Sequence, residues 1–120
     1  MTKKETAKAF LQLAGGGKVK EAFESYISNG FIHHNQYFPG NREALRKAME
    51  DAHQASPNKS IETKYCYAED DTVITHSLVI KQKMEIAVVH IFRFSAEKIV
   101  EMWDVGQPIE KDSPNENGLF

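Results

Sequence analysis

The chain has a single cysteine, Cys66, among its 120 residues. An internal disulfide is therefore excluded, and a reducing compartment fits. No stretch approaches the roughly 20 apolar residues that a membrane-spanning helix needs. Charge of one sign is missing too: 15 Lys and Arg are interspersed with 17 Asp and Glu, for a net charge of −2. Without a basic stripe or a polybasic amphipathic helix, neither nucleic acid nor a membrane surface is an expected partner. The start, MTKKETAKAF, is basic but has no apolar run behind it, so a secretory signal is not expected and a cytoplasmic protein is. There are four prolines, no repeats and no linker-like tract, so residues 1–120 are expected to form one domain. The run Gly15-Gly16-Gly17 lacks a Gly-Lys-Ser/Thr ending and follows no strand. It reads as a helix–helix connection, not a phosphate loop.

What is present is an ordinary globular composition, 41% hydrophobic and 27% charged. The first half has helical spacing. Ala7, Phe10, Leu11 and Ala14 mark a helix over 3–14; Val19, Ala22, Phe23, Tyr26 and Ile27 mark a second over 19–28. Residues 31–35 read as a short extended segment. Asn41 is a candidate N-cap for a third helix over 42–55, with Leu45, Ala48, Met49 and Ala52 on its buried face. From Pro57 the period changes to two. Four strands are expected, near 60–68, 72–81, 84–95 and 98–106, with turns too short for anything but antiparallel neighbours. Three helices and an antiparallel meander make an α+β domain. If the sheet curls around the helices, it leaves a conical mouth suited to a small-molecule pocket. The polar segment 108–120 ends in Leu119-Phe120, an apolar pair able to dock on the sheet or on a partner chain.

The candidate chemistry lies where ionisable side chains fall on apolar strand faces. His90 alternates with Val88 and Phe92, and Asp104 with Met102 and Val100. His76 shares a face with Ile74, Leu78 and Ile80, and His34 alternates with Ile32. If these faces line one cavity, three imidazoles and a carboxylate meet there. Burial raises the pKa of an Asp and lowers that of a His. A carboxylate so tuned is a base for a proton α to a carbonyl, and a nearby imidazole or phenol donates to the enolate oxygen. Asp104, His90 and His76 are therefore the catalytic candidates. His34, Asn35, Tyr65, Met102, Phe92 and Trp103 are the candidates for lining the pocket. A three-His, one-carboxylate metal site is open to the same residues, but nothing in their spacing demands it, and no metal is expected. Adjacent His33 and His34 point apart in an extended segment. Cys66 alternates with Glu62, Lys64 and Ala68 and reads as a plain strand residue; no nucleophile elbow exists.

Several stretches resemble SnoaL-like proteins. Phe31-Ile32-His33-His34-Asn35 is similar to their Y-I-Q-H-N segment. Ala68-Glu69-Asp70-Asp71-Thr72-Val73 with His76 is similar to A-E-G-D-x-V-x-x-H. Ile91-Phe92-Arg93 through Lys98-Ile99-Val100-Glu101 to Trp103-Asp104-Val105 and Gln107-Pro108 resembles D-I-F-R…G-K-I-V-E-H-W-D-V-x-Q-P. The likeness runs over about residues 5–120. It implies the cone of nuclear-transport-factor-two-like proteins, an α+β barrel that usually pairs as a homodimer through sheet faces. It also implies a polyketide-cyclase type of activity, an aldol ring closure without cofactor or metal. In that chemistry an Asp at the position of Asp104 removes the α-proton, with His90 at the position of an active-site His. This chain departs from the pattern at His90 and Met102, where a subgroup of the family is expected to carry Asp and His. It also has Glu97 where the turn glycine would be. The reading leans to a cofactor-free cyclase, isomerase or lyase; a non-catalytic ligand-binding or dimeric module of the same fold is the alternative.

Overall fold

A computed structural model describes residues 1–120. Helix α1 spans Lys3–Gly15, α2 Val19–Tyr26 and α3 Arg42–Ala55. Strands β1 (Ile27–His33), β2 (Asn58–Glu69), β3 (Thr72–Lys81), β4 (Glu85–Ser95) and β5 (Lys98–Pro108) form one sheet in the order β1-β5-β4-β3-β2. The expected meander is present as β2 to β5, antiparallel throughout. The sequence reading fell short at residues 27–35. Ile27 leaves α2 and opens a strand that pairs with β5 in parallel, making a five-stranded mixed sheet.

Local chemistry explains the helix ends. Thr2 Oγ1 accepts from the Glu5 N–H while Glu5 Oε1 accepts from the Thr2 N–H, so a capping box starts α1. Asn41 Oδ1 accepts from the Ala44 N–H at 2.9 Å and caps α3. Gly17, at φ 94°, carries the chain from α1 into α2 through a conformation that a side chain would strain.

The core lies between the helices and the concave face of the sheet. Phe10 packs on Phe23 and on Phe92, and Phe23 on Phe31, with ring centroids 5.7, 6.1 and 6.3 Å apart. Val73, Thr75, Ser77 and Val79 point inward from β3. The expected inward set of that strand, Ile74, His76, Leu78 and Ile80, faces outward instead. Both faces of β3 carry apolar residues, so hydrophobicity alone did not separate them. Thr63 and Ser77 satisfy each other inside through hydroxyls 3.2 Å apart.

Bulges account for two further differences. Between Arg93 and Phe94 the partner on β5 jumps from Glu101 to Ile99, so Val100 is an extra residue. Ile99 thereby enters the core with Met102, although strict alternation puts it with Glu101 and Trp103. A second bulge, at Lys64, turns Cys66 inward against the core. On α3, only Leu45 of the four expected residues is buried. Ala52 is exposed, because that helix borders a hollow and not a filled core.

Candidate active site

The hollow has a volume of about 230 Å³ and lies between the ends of α1 and α3 and the concave face of β2 to β5. Leu11, Met49, Ile61, Val79, Ile86 and Val88 give it apolar walls. His90 and Asp104 are on its wall, and strand register makes them direct cross-strand partners. Side chains so placed on one face stand about 4.5–5.5 Å apart at Cβ.

His90 lies deep in the protein but keeps some accessible surface, because it borders the hollow. Burial pushes its pKa down to about 4; the nearby Asp104 carboxylate opposes that shift only in part. The imidazole is therefore neutral at pH 7. Its Nδ1 has no hydrogen-bond partner, and its ring stacks on Phe92 with centroids 5.7 Å apart.

Asp104 is half-buried and is held from β1's far end. Asn35 Nδ2 donates to Asp104 Oδ2 at 3.2 Å, while Asn35 Oδ1 accepts from the Tyr37 N–H at 2.9 Å. That second bond fixes which end of the amide faces the carboxylate. The Asn35 N–H in turn donates to His33 Nδ1 at 3.1 Å, and His33 Nε2–H donates to the Pro39 carbonyl at 2.7 Å. Both nitrogens of the buried His33 are thus committed to holding the loop that carries Asn35.

The other predicted residues are elsewhere. His76, Tyr65, His34 and Trp103 lie on the convex face and do not reach the hollow. His76 stacks on Phe120 at 4.6 Å and tilts against Tyr65 at 5.7 Å. The terminal Leu119-Phe120 pair docks on the sheet there. His34 stacks on Trp103 at 4.6 Å and bonds Glu101 Oε2 at 2.7 Å. Hydrogen bonds from His34 and Arg93 hold the Glu101 carboxyl below the usual carboxylate range. The cause is strand parity: His33, not His34, turns inward from β1, and Thr75, not His76, from β3. Phe92 and Met102 do face inward, but they are packed within the core. The proposed convergence of three imidazoles is therefore corrected to one, His90, beside Asp104. No group of three or more His, Cys, Asp or Glu side chains is arranged to hold a metal ion.

Four polar residues of the hollow were missed in the sequence: His53, Ser56, Asn58 and Lys81. His53 falls one helical turn after Met49, which was the available signal. A Cβ on Gly17 would sit 2.3 Å from His53 Nε2, so the imidazole packs directly on the bare glycine backbone. Asn58 was hidden by an irregular pairing between Asn58 and Ser60, which breaks the alternation of β2.

A curled α+β sheet with a hollow against its helices makes a cone-shaped fold, and the comparisons agree on that architecture. Residues 7–102 match the SnoaL-like domain. The chain belongs to that family. An NTF-2-like protein of unknown function from Burkholderia xenovorans LB400 superposes with a TM-score of 0.75 at 16% identity, covering 93% of this chain and 88% of that one. IdmH from Streptomyces antibioticus, provisionally assigned as a polyketide cyclase, gives 0.74 at 15% identity, over 89% and 93%. AclR from Streptomyces galilaeus, provisionally assigned as a hydroxylase, gives 0.67 at 21% identity, over 87% and 80%. At these identities the likeness speaks for the fold. No curated protein matches the chain.

Proposed function

We propose that the chain binds a small, mainly apolar carbonyl compound in the hollow and removes its α-proton without a cofactor, with Asp104 as base. The observation that carries this reading is the cross-strand pair of Asp104 and a deeply placed, neutral His90 on the wall of an apolar cavity. Asn35 occupies Oδ2 of Asp104, which leaves Oδ1 for the proton. The α-C–H bond breaks toward Oδ1, and its electron pair moves into the enolate. The ring N–H of His90 donates to the enolate oxygen. A neutral imidazole suits this role, since an imidazolium would pair with the base and weaken it. Where a C=C bond is conjugated with the enolate, Asp104 returns the proton at its far carbon, giving isomerisation; otherwise the enolate carbon attacks a second carbonyl, whose oxygen takes up the proton, giving an aldol product. Both outcomes balance without an oxidant or reductant.

The test is deuterium uptake from solvent into cyclohexanone, followed by NMR. Asp104→Asn is expected to slow it by ~10²-fold or more. Equal uptake with both proteins sinks the reading. One observation favours the alternative, a binding module that turns nothing over: half of the carboxylate is already engaged by Asn35. That module would keep its ligand in Asp104→Asn and show no uptake in either protein.

Pairing of two copies through the convex face is part of the same proposal. Register lines up Tyr67, Ile74, Ile91 and Trp103 in one outward row, and Tyr65, His76, Val89 and Val105 in the next. Tyr67 is 62% exposed and Val105 67%. Sedimentation of Val105→Glu as a monomer, against a wild-type dimer, is the expected result. The free thiol of Cys66 fits a cytoplasmic setting, and no helix is long and apolar enough to cross a membrane.

A further inference from the structure

We infer that the compound bound in the hollow is an oxo acid: a compact carbonyl compound carrying a carboxylate, which Lys81 receives at the end of the cavity away from Asp104. The inference rests on the proposed carbonyl chemistry for one end of the ligand and adds the other.

The two ends of the hollow carry opposite charge. Asp104 stands in the row Thr75–His90–Asp104. Two inward rows of β3 and β4, Ser77–Val88 and Val79–Ile86, separate that row from the far end. Lys81 follows as the next inward position of β3, on the cavity lining and half-buried. Its ammonium donates to a neutral acceptor, the Ser56 carbonyl, at 2.7 Å, and no carboxylate pairs with it. An ammonium has three donors, so two remain. His53, also on the lining, keeps a buried Nδ1 without a partner and can offer an N–H there in one tautomer; the buried Asn58 Oδ1 is likewise without a partner but can only accept. Asn58 pairs directly with Lys81 across β2 and β3, and its Nδ2 is fixed on the Gly15 carbonyl at 3.0 Å.

An unneutralised cation at the rim of an apolar hollow attracts an anion more strongly than it would in open water. The Asp104 end repels the same anion. The field therefore orients a ligand with both groups: carboxylate at Lys81, carbonyl at His90 and Asp104, and hydrocarbon between them along Val88 and Ile86. Size restricts the class further. At about 30 Å³ for a water molecule, the 230 Å³ hollow equals roughly eight waters. That space suits a single ring or a short chain.

The test compares 4-oxocyclohexanecarboxylate with the isosteric neutral 4-oxocyclohexanecarboxamide, titrated calorimetrically at pH 7 and low salt. The wild-type protein is expected to bind the acid about tenfold more tightly. Lys81→Met is expected to bring the two within a factor of about two, and Lys81→Arg to retain the preference. Equal affinity of acid and amide in the wild type overturns the oxo-acid assignment and leaves the carbonyl reading standing. A preference that persists in Lys81→Met overturns the role of Lys81. Absence of binding for acid, amide and cyclohexanone alike overturns the carbonyl reading itself, and this inference with it.

Discussion

The two faces of the sheet hold the same kinds of side chain in opposite conditions. On the concave face His90 has one carboxylate partner across the strand, apolar cavity walls and a ring nitrogen without a bond. On the convex face His34 also meets a carboxylate, Glu101, but over a stacked Trp103 and with its side chain 41% exposed. Burial pushes the His90 pKa down to about 4, whereas solvent weakens the exposed pairing of His34 with Glu101. Residue type did not distinguish a pair on the cavity wall from a surface brace; the face did.

The comparison can be broken most sharply at the aromatic rings. Phe92→Ala, on the concave side, should lower stability by about 3–5 kcal/mol in urea unfolding. Trp103→Ala, on the convex side, should cost about 1–2 kcal/mol, because the indole is only half-buried. Similar losses would mean that the convex face is as tightly packed as the core.

The next effect is in pH. An unfolded His titrates near 6.5, while His90 in the folded protein titrates at about 4. Above about pH 6.5 the residue is neutral in both states and costs nothing. As the pH falls toward 4 the unfolded chain takes up a proton that the folded one refuses, and stability drops by on the order of 3 kcal/mol. Unfolding curves between pH 7 and 4 should therefore flatten in His90→Gln. A slope unchanged by that substitution would remove His90 from the account.

Smaller effects sharpen the contrast. Asn35→Ala should slow proton exchange by about tenfold while leaving Asp104 in place, since the amide only orients the carboxylate. NMR exchange rates check it, and loss as deep as in Asp104→Asn would make Asn35 a reacting group. His34→Ala should cost less than about 1 kcal/mol in the same urea titration, as exposed ion pairs generally do.

The sequence made the helices and the meander legible because their periods are clean: Phe10 and Leu11 recur at helical spacing, and Val88, His90 and Phe92 alternate without interruption. Parity failed where the chain departs from alternation. The bulges at Val100 and Lys64 shift Ile99 and Cys66 across the sheet, and no residue type marks either one. β1 was read only from Phe31, as a short extended segment, because Ile27 fits the apolar stripe of α2 as well as it fits a strand. For the site, the pair His90 and Asp104 could be read because each lies in an unbroken stretch of alternation on the same side of the bulge, His90 with Val88 and Phe92 and Asp104 with Met102. His76 and His34 could not be placed, because β1 and β3 carry apolar residues on both sides. Lys81 and His53 went unnoticed because a Lys and a His near element ends look like solvated surface until the hollow beside them is known.

The extra residue at Val100 has an evolutionary corollary. Ile99 plugs the core on one side of it, and Asp104 reaches the hollow on the other. Removing that single codon would not simply shorten β5. It would force either the plug or the carboxylate to the wrong surface, so the last hairpin should tolerate exchanges of residue far better than changes of length.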